Sequence, residues 1–273
     1  MSRPLYAAVA ISVGLGAYYF RQRSAAPFAP LRPREDRSGR SAVILGATGA
    51  TGSKVLAELL RDDDWDDVIS LGRREIYADG VGRPEKLREV VVDYRRLKAD
   101  ARGAFMDADI VFDCLGTTRA AAGGASEFIE IERDFTAHAA RIAKNSGVRH
   151  FSVVTASSAN SAMPAVDWIH PLLYIKTLGE KEDAVRAQDF ERASFFRPGM
   201  LNREKGDRAW EVAVNKLGVG LKVTDLARAM LEDALTPIAV AADEIGEAVY
   251  GDGAIRALAR SRVTQQRSSR SAV

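Results

Sequence analysis

From Ser41 onward this sequence predicts an open, doubly wound α/β sheet of parallel strands. Three observations carry that expectation. Short apolar runs stop at glycine or a polar residue, amphipathic helical stretches lie between them, and a glycine-rich turn separates the first run from the first helix.

The first run is Ala42–Leu45 (AVIL), halted by Gly46. Lys54 to Leu60 follows as a helix with Val55, Leu56, Leu59 and Leu60 on one side. Val68–Leu71, Glu89–Val92 and Ile110–Cys114 read as strands two to four. A long helical pattern runs from about Glu127 to Ser146 and ends at Gly147. Phe151–Thr155 is the fifth strand. A helix from Pro171, suited to a first-turn position, reaches Arg186. Phe195 and Phe196 mark a sixth strand before Pro198 and Gly199, and Asp225–Leu235 is a further helix capped by Thr224. The expected organisation is an anchor or targeting segment over 1–25, a flexible linker over 26–40, the folded body over 41–260, and a disordered basic tail over 261–273.

The chain of 273 residues carries a net charge of only +2, but the charge is unevenly placed. Arginine dominates residues 1–40 and 256–273, so the body between them is acidic and argues against nucleic-acid binding through that body. Cys114 is the single cysteine, and His138, His150 and His170 lack ligand spacing, so no metal is expected. Leu5 to Phe20 is uncharged and flanked by Arg3, Arg21 and Arg23. As a short apolar helix outside the domain it would span roughly 24 Å against a hydrocarbon core of about 30 Å. It reads as a membrane anchor. The rival is a cleaved targeting segment, which would leave the body inside an organelle.

The turn after the first strand is Gly46-Ala47-Thr48-Gly49-Ala50-Thr51-Gly52. Glycine is needed where the backbone turns sharply and where a pyrophosphate approaches main-chain N–H groups. The helix behind it adds unpaired N–H groups and the positive end of its dipole. Between strand and helix, this pattern points to a Rossmann-type dinucleotide site that includes Gly46, Gly49 and Gly52. Where strand two ends, an acidic residue would hold the ribose of NAD, but this chain has Gly72-Arg73-Arg74. Paired guanidiniums suit a 2′-phosphate, which makes NADP(H) the expected cofactor. Asp93, ending strand three, is a candidate for the adenine amino group.

Four stretches together, GATGATG, SLGRRE, FDCLGTTRAAAGG (Phe112–Gly124) and FFRPGML (Phe195–Leu201), resemble the atypical short-chain dehydrogenase/reductases. They are most similar to the Tat-interacting oxidoreductase family and its fungal mitochondrial outer-membrane relatives. The resemblance spans roughly Val43 to Leu235, and CLGTTR is its most specific part. It implies that Thr48, Gly49, Ala50 and Thr51 surround the pyrophosphate and that Arg73 and Arg74 hold the 2′-phosphate. It also implies that Leu115 and Gly116 line the adenine-ribose side, that Leu201 flanks the nicotinamide, and that an arginine near Arg208 reaches the cofactor. Animal members are soluble regulators of transcription and nuclear import, whereas fungal members are membrane-associated. With the segment over 5–20, this places the chain at the mitochondrial outer membrane facing the cytosol.

Reductases of this superfamily use a tyrosine as acid and a lysine four residues on, which shares its helical face and lowers its pKa. Tyr174 stands 23 residues before Arg197, at the family's tyrosine position, but Leu178 stands where the lysine belongs. Lys176 is about 200° around the helix, and Lys181, on the right face, is about 10 Å farther along the axis. Ser157, ahead of Ser158, is the candidate to orient a substrate carbonyl. Two functions therefore stay open. One is an oxidoreductase on an unidentified carbonyl or alcohol, with Tyr174 and Ser157 catalytic. The other is an NADP(H)-binding regulator or scaffold at a membrane, with protein partners.

Overall fold

The computed structural model describes residues 37–76, 84–97, 101–164, 169–202, 220–237 and 246–271. The expected apolar helix over 5–20 and Arg208 lie outside them. β1 (Arg40–Leu45) has its last five residues fully enclosed, Ser41 followed by the apolar run Ala42–Leu45, as a central strand requires. β2 (Trp65–Gly72), β3 (Leu87–Val91), β4 (Ile110–Asp113), β5 (His150–Val154) and β6 (Arg192–Phe196) follow. A seventh strand, which the sequence reading lacks, is β9 (Gly246–Tyr250). The order is β3-β2-β1-β4-β5-β6-β9, with every neighbouring pair parallel. A two-stranded parallel ribbon, β7 (Leu201–Asn202) with β8 (Leu221–Lys222), stands apart.

The chain moves outward from β1 in one direction and from β4 in the other. The carboxyl ends of β1 and β4 therefore flank a crevice where such sheets bind ligands. On one face, α1 (Ala50–Arg61), α5 (Val223–Leu235) and α6 (Asp252–Ser271) pack together. Val55, Leu56, Leu59 and Leu60 of α1 meet Ala42 and Ile44 of β1 and Leu226, Met230 and Leu231 of α5 in a single core. Each buried Val, Leu, Ile or Met of this core contributes about 1.5–3 kcal/mol.

A second helical group, in mutual contact, comprises α2 (Ala125–Ile129), a π-helical segment Glu130–Asp134, α3 (Phe135–Asn145) and α4 (His170–Arg186). The π-helical segment turns Glu132 inward, leaving it 3% exposed.

Two local expectations need correction. Thr224 is not the cap of α5. The helix begins at Val223, with Lys222 at the cap position and no side-chain cap bond. The tail is not disordered from 261, because α6 is helical through Ser271. Arg262 is 2% exposed and pairs with Asp62 and Glu232, while Ser261 donates to Glu232 Oε1 at 3.1 Å. An arginine-rich sequence hides that docking, because the apolar stripe is only Ile255, Leu258 and Ala259, and the buried Arg262 continues the same face through charge partners. Among the described residues no helix is long and apolar enough to cross a membrane.

Candidate functional site

A cleft opens over the carboxyl ends of β1, β2 and β4 and has two parts, each about 360 Å³. Gly49, Cys114, Leu115, Gly116, Thr117 and Ala121 line both parts and make them continuous.

The first part is bounded by the glycine-rich turn, Gly72, Arg73, Arg74, Tyr94 and Phe135. Gly46 has φ +75°, and a Cβ there would lie 2.6 Å from the Cys114 carbonyl oxygen. At Gly52 a Cβ would fall 2.1 Å from the Gly46 oxygen, so strand and helix approach only because both positions lack side chains. Gly49 caps α1 without any side-chain bond, and no acid stands in the first turn. The positive end of the helix is thus left for an anion in the cleft. Arg73 and Arg74 are exposed and border the same space. Tyr94 donates to Leu71 O at 2.7 Å and stacks on Phe135 with centroids 5.1 Å apart, which builds a rigid side wall. Burial pushes its hydroxyl pKa well above the usual tyrosine range.

The second part is lined by Ala50, Thr51, Thr118, Glu132, Thr155, Tyr174, Leu178 and Leu201. Tyr174 packs beside Phe128, with centroids 6.1 Å apart, and against the small cluster of Ala156, Ala159 and Leu178. Leu178 is 2% exposed, so the position expected to carry lysine is part of an apolar seat under the tyrosine. Lys176 faces outward near Glu180, 3.9 Å away. Cys114 reaches the cleft, but burial pushes its thiol far above the normal range and keeps it protonated.

Lys181 lies inside the protein, fully enclosed. Its Nζ donates to Leu115 O at 2.8 Å and stands 3.7 Å from Glu132 Oε2 and 3.9 Å from Asp113 Oδ2. Thr117 N donates to Glu132 Oε1 at 2.6 Å, and Leu115 N donates to Asp113 Oδ1 at 2.9 Å. Asp113 Oδ2 accepts from Thr136 Oγ1 at 2.6 Å. The loop shared by both parts of the cleft is therefore tied at three backbone groups to three buried ionisable side chains. Such a cluster persists only when charge and hydrogen bonds are mutually satisfied.

Of the residues expected from sequence, Gly46, Thr48, Gly49, Ala50, Thr51, Arg73, Arg74, Leu115, Gly116, Tyr174 and Leu201 border the cleft. Gly52 sits behind it as a packing position. Asp93 is exposed and caps a short 3₁₀ turn by accepting from Arg95 N, and its neighbour Tyr94 lines the cleft in its place. Ser157 is exposed on the turn after β5, with its N–H bonded to Pro198 O at 2.9 Å, and is not among the lining residues. Thr155, two residues earlier, does line the cleft, and its Oγ1 donates to Glu182 Oε1 at 2.7 Å. Thr155, Glu132 and Lys181 were missed as site residues. A usable signal existed for the last two. Phe128, Glu132, Phe135 and Ala139 recur at one-face helical spacing, as do Tyr174, Leu178, Lys181 and Val185, so each charge interrupts an apolar stripe.

A family model described as NAD(P)H-binding matches residues 46–237. The chain is 32% identical over 205 residues to Protein HTATIP2 of Rattus norvegicus, covering 71% of this chain and 81% of that protein. It is 31% identical over 163 residues to "Protein FMP52, mitochondrial" of Meyerozyma guilliermondii, covering 60% and 66%. Among solved structures, MoeE5 in complex with UDP-glucose and NAD aligns with TM-score 0.58 at 18% identity, over 77% of this chain and 75% of that one. The UDP-glucuronic acid 4-epimerase of Bacillus cereus in complex with NAD aligns with TM-score 0.58 at 14% identity, over 77% and 76%. At those identities the likeness concerns the fold alone. The glycine-rich turn, the sheet order and the match from residue 46 to 237 agree, and the chain belongs to the NAD(P)H-binding family, with HTATIP2 and FMP52 among its relatives.

Proposed function

We propose that this protein is an NADP(H)-dependent oxidoreductase acting on an unidentified carbonyl or alcohol. The observation that carries the cofactor choice is Arg73 and Arg74 bordering the cleft just beyond β2, where a ribose 2′-phosphate would lie. The residues fit the group: the α1 terminus is open to an anion, and Gly46 and Gly52 let β1, α1 and the loop after β4 approach closely enough to form the turn beneath it. Thr48, Gly49, Ala50 and Thr51 would hold the pyrophosphate, Leu115 and Gly116 the ribose side, and Leu201 the nicotinamide end. The bound cofactor supplies a hydride. Tyr174 then orients the substrate oxygen from the wall of the second part.

Fluorescence titration of the full chain with NADPH, NADH, NADP and NAD tests this reading. NADPH is expected to bind at least about tenfold more tightly than NADH, a difference of about 1.4 kcal/mol. Equal affinities would overturn the NADP(H) assignment. A panel of aldehydes, ketones and quinones then tests for NADPH consumption.

Leu178 favours a second reading, a cofactor-binding regulator or scaffold without turnover. It is supported if NADPH binds tightly and no carbonyl is reduced. For location, the apolar segment over 5–20 and the mitochondrial naming of fungal relatives support tethering to the mitochondrial outer membrane with the body in the cytosol. Microscopy of a fusion with and without residues 1–25 checks it. Diffuse signal in both removes the anchor.

A further inference from the structure

We propose that Glu132 is the acid that gives the substrate oxygen its proton, and that Lys181 is the positioning residue that receives the charge left behind. The inference rests on the oxidoreductase reading and assigns the proton step within that same cleft. Three side chains with an exchangeable proton border the second part of the cleft besides its threonines: Cys114, Glu132 and Tyr174. The cysteine is held protonated by burial. The tyrosine stands on the apolar seat of Ala156, Ala159 and Leu178. Glu132 stands in a setting that accommodates both of its protonation states. Enclosure at 3% exposure favours the neutral acid. Lys181 at 3.7 Å and the Thr117 N–H at 2.6 Å receive the carboxylate.

The charged groups facing Glu132 are Lys181 from α4 and Asp113 from β4. Burial pushes the Glu132 carboxyl above its ordinary value, and Lys181 and Thr117 pull it back. A proton donor for work near neutrality needs that balance. The π-helical segment is what delivers the side chain to the cleft, because it sets Glu132 inward between Phe128 and Phe135.

In the step, Glu132 loses its O–H proton to the carbonyl oxygen as the carbonyl carbon takes a hydride from reduced nicotinamide. The carbonyl π pair becomes the new O–H bond, and the O–H bonding pair stays on the carboxylate. The substrate gains two electrons and two hydrogens, the cofactor is oxidised by two electrons, and Glu132 regains its proton from solvent. Glu132 must then be protonated beside NADPH and ionised beside NADP, whose nicotinamide is positive.

That requirement has a readout without turnover. Calorimetric titration of the full chain at pH 7, in phosphate and in Tris, counts protons exchanged on binding each cofactor. NADPH is expected to take up at least about a third of a proton more per chain than NADP. In Glu132→Gln that difference vanishes, while NADPH affinity stays within about threefold. With a reducible carbonyl, Glu132→Gln lowers turnover by about 10²-fold or more, and Tyr174→Phe by less than about tenfold. Wild-type turnover falls as pH rises through the Glu132 pKa. Lys181→Met moves that midpoint upward, a shift that a purely structural lysine would not cause. Equal proton counts in the wild type, a difference that persists in Glu132→Gln, or unimpaired turnover in Glu132→Gln overturns the assignment to Glu132 alone. Tight NADPH binding with no carbonyl reduced overturns the oxidoreductase reading, and the assignment with it.

Discussion

The two parts of the cleft solve different problems with different materials. The part beside Arg73 and Arg74 is built from backbone: missing side chains at Gly46 and Gly52, an open helix terminus, and cations at the rim. It needs only local geometry and positive charge, because its expected ligand is an anion. The part beside Tyr174 is built from side chains brought from β4, the π-helical segment and α4, and its buried charges are mutually dependent. The difference teaches that binding here rests on the course of one turn, whereas proton chemistry rests on tertiary placement of Asp113, Glu132 and Lys181. Substitutions should therefore separate the two.

The largest effect is expected at Gly52→Ala, where a Cβ would meet the Gly46 carbonyl oxygen at 2.1 Å. Backbone must move, at a cost of about 1–3 kcal/mol in stability, and NADPH affinity should fall by about 10²-fold or more. Thermal unfolding and fluorescence titration check both. An unchanged protein would break the claim that backbone clearance makes the first part.

Next comes the rim. Arg73→Ala with Arg74→Ala should weaken NADPH by about 10- to 100-fold through lost charge-assisted bonds. NADH affinity should not change, as parallel titrations would show. Equal losses for both cofactors would mean that the arginines shape the cleft rather than read the phosphate.

Leu178→Lys sharpens the second part. Burying a cation in the seat formed with Ala156, Ala159 and Tyr174 should lower stability by about 1–3 kcal/mol and leave NADPH affinity unchanged. With Glu132 as the acid, carbonyl turnover should stay at or below the wild-type rate. A tenfold gain would instead restore the tyrosine–lysine reading.

The smallest effect on the cleft is expected at His150, which begins β5 at the opposite ends of the strands from the cleft. It bonds Ser194 Oγ at 2.9 Å, and burial first, then Arg192 and Arg40, holds its pKa well below the ordinary 6.5. A depressed folded-state pKa means that the unfolded chain binds the proton first. Stability is complete above about pH 6.5 and declines below it, by up to about 1.4 kcal/mol per pH unit. His150→Gln should flatten that decline in chemical denaturation between pH 7 and 5 while NADPH affinity holds.

The legibility of the molecule follows the same division. Six strands, the main helices and the glycine-rich turn were readable because each is local: an apolar run, a helical period, or a backbone that only glycine permits. The seventh strand, Gly246–Tyr250, was not, because three of its five residues are exposed and it opens on Gly246 and Glu247 rather than on an apolar run. The docked C-terminal helix was hidden for a related reason, since Arg262 is buried by charge partners distant in sequence. In the cleft, Asp93 and Ser157 illustrate the limit from the other side. Both stand at sensible positions after strands, yet one caps a turn and the other is exposed beside Pro198, with Tyr94 and Thr155 lining the walls.

By itself, then, the sequence determined a Rossmann-type sheet and its phosphate-facing turn, because those depend on spacing and on the backbone freedom of a few glycines. Only the tertiary structure decided what becomes of the lysine. Spacing along α4 puts Lys181 too far from Tyr174 to serve that tyrosine. The fold carries its ammonium instead to the Leu115 carbonyl and the carboxylates of Asp113 and Glu132. Helical periodicity tells which face a charge occupies, but the partners that make a buried charge tolerable come from strands and helices distant in sequence.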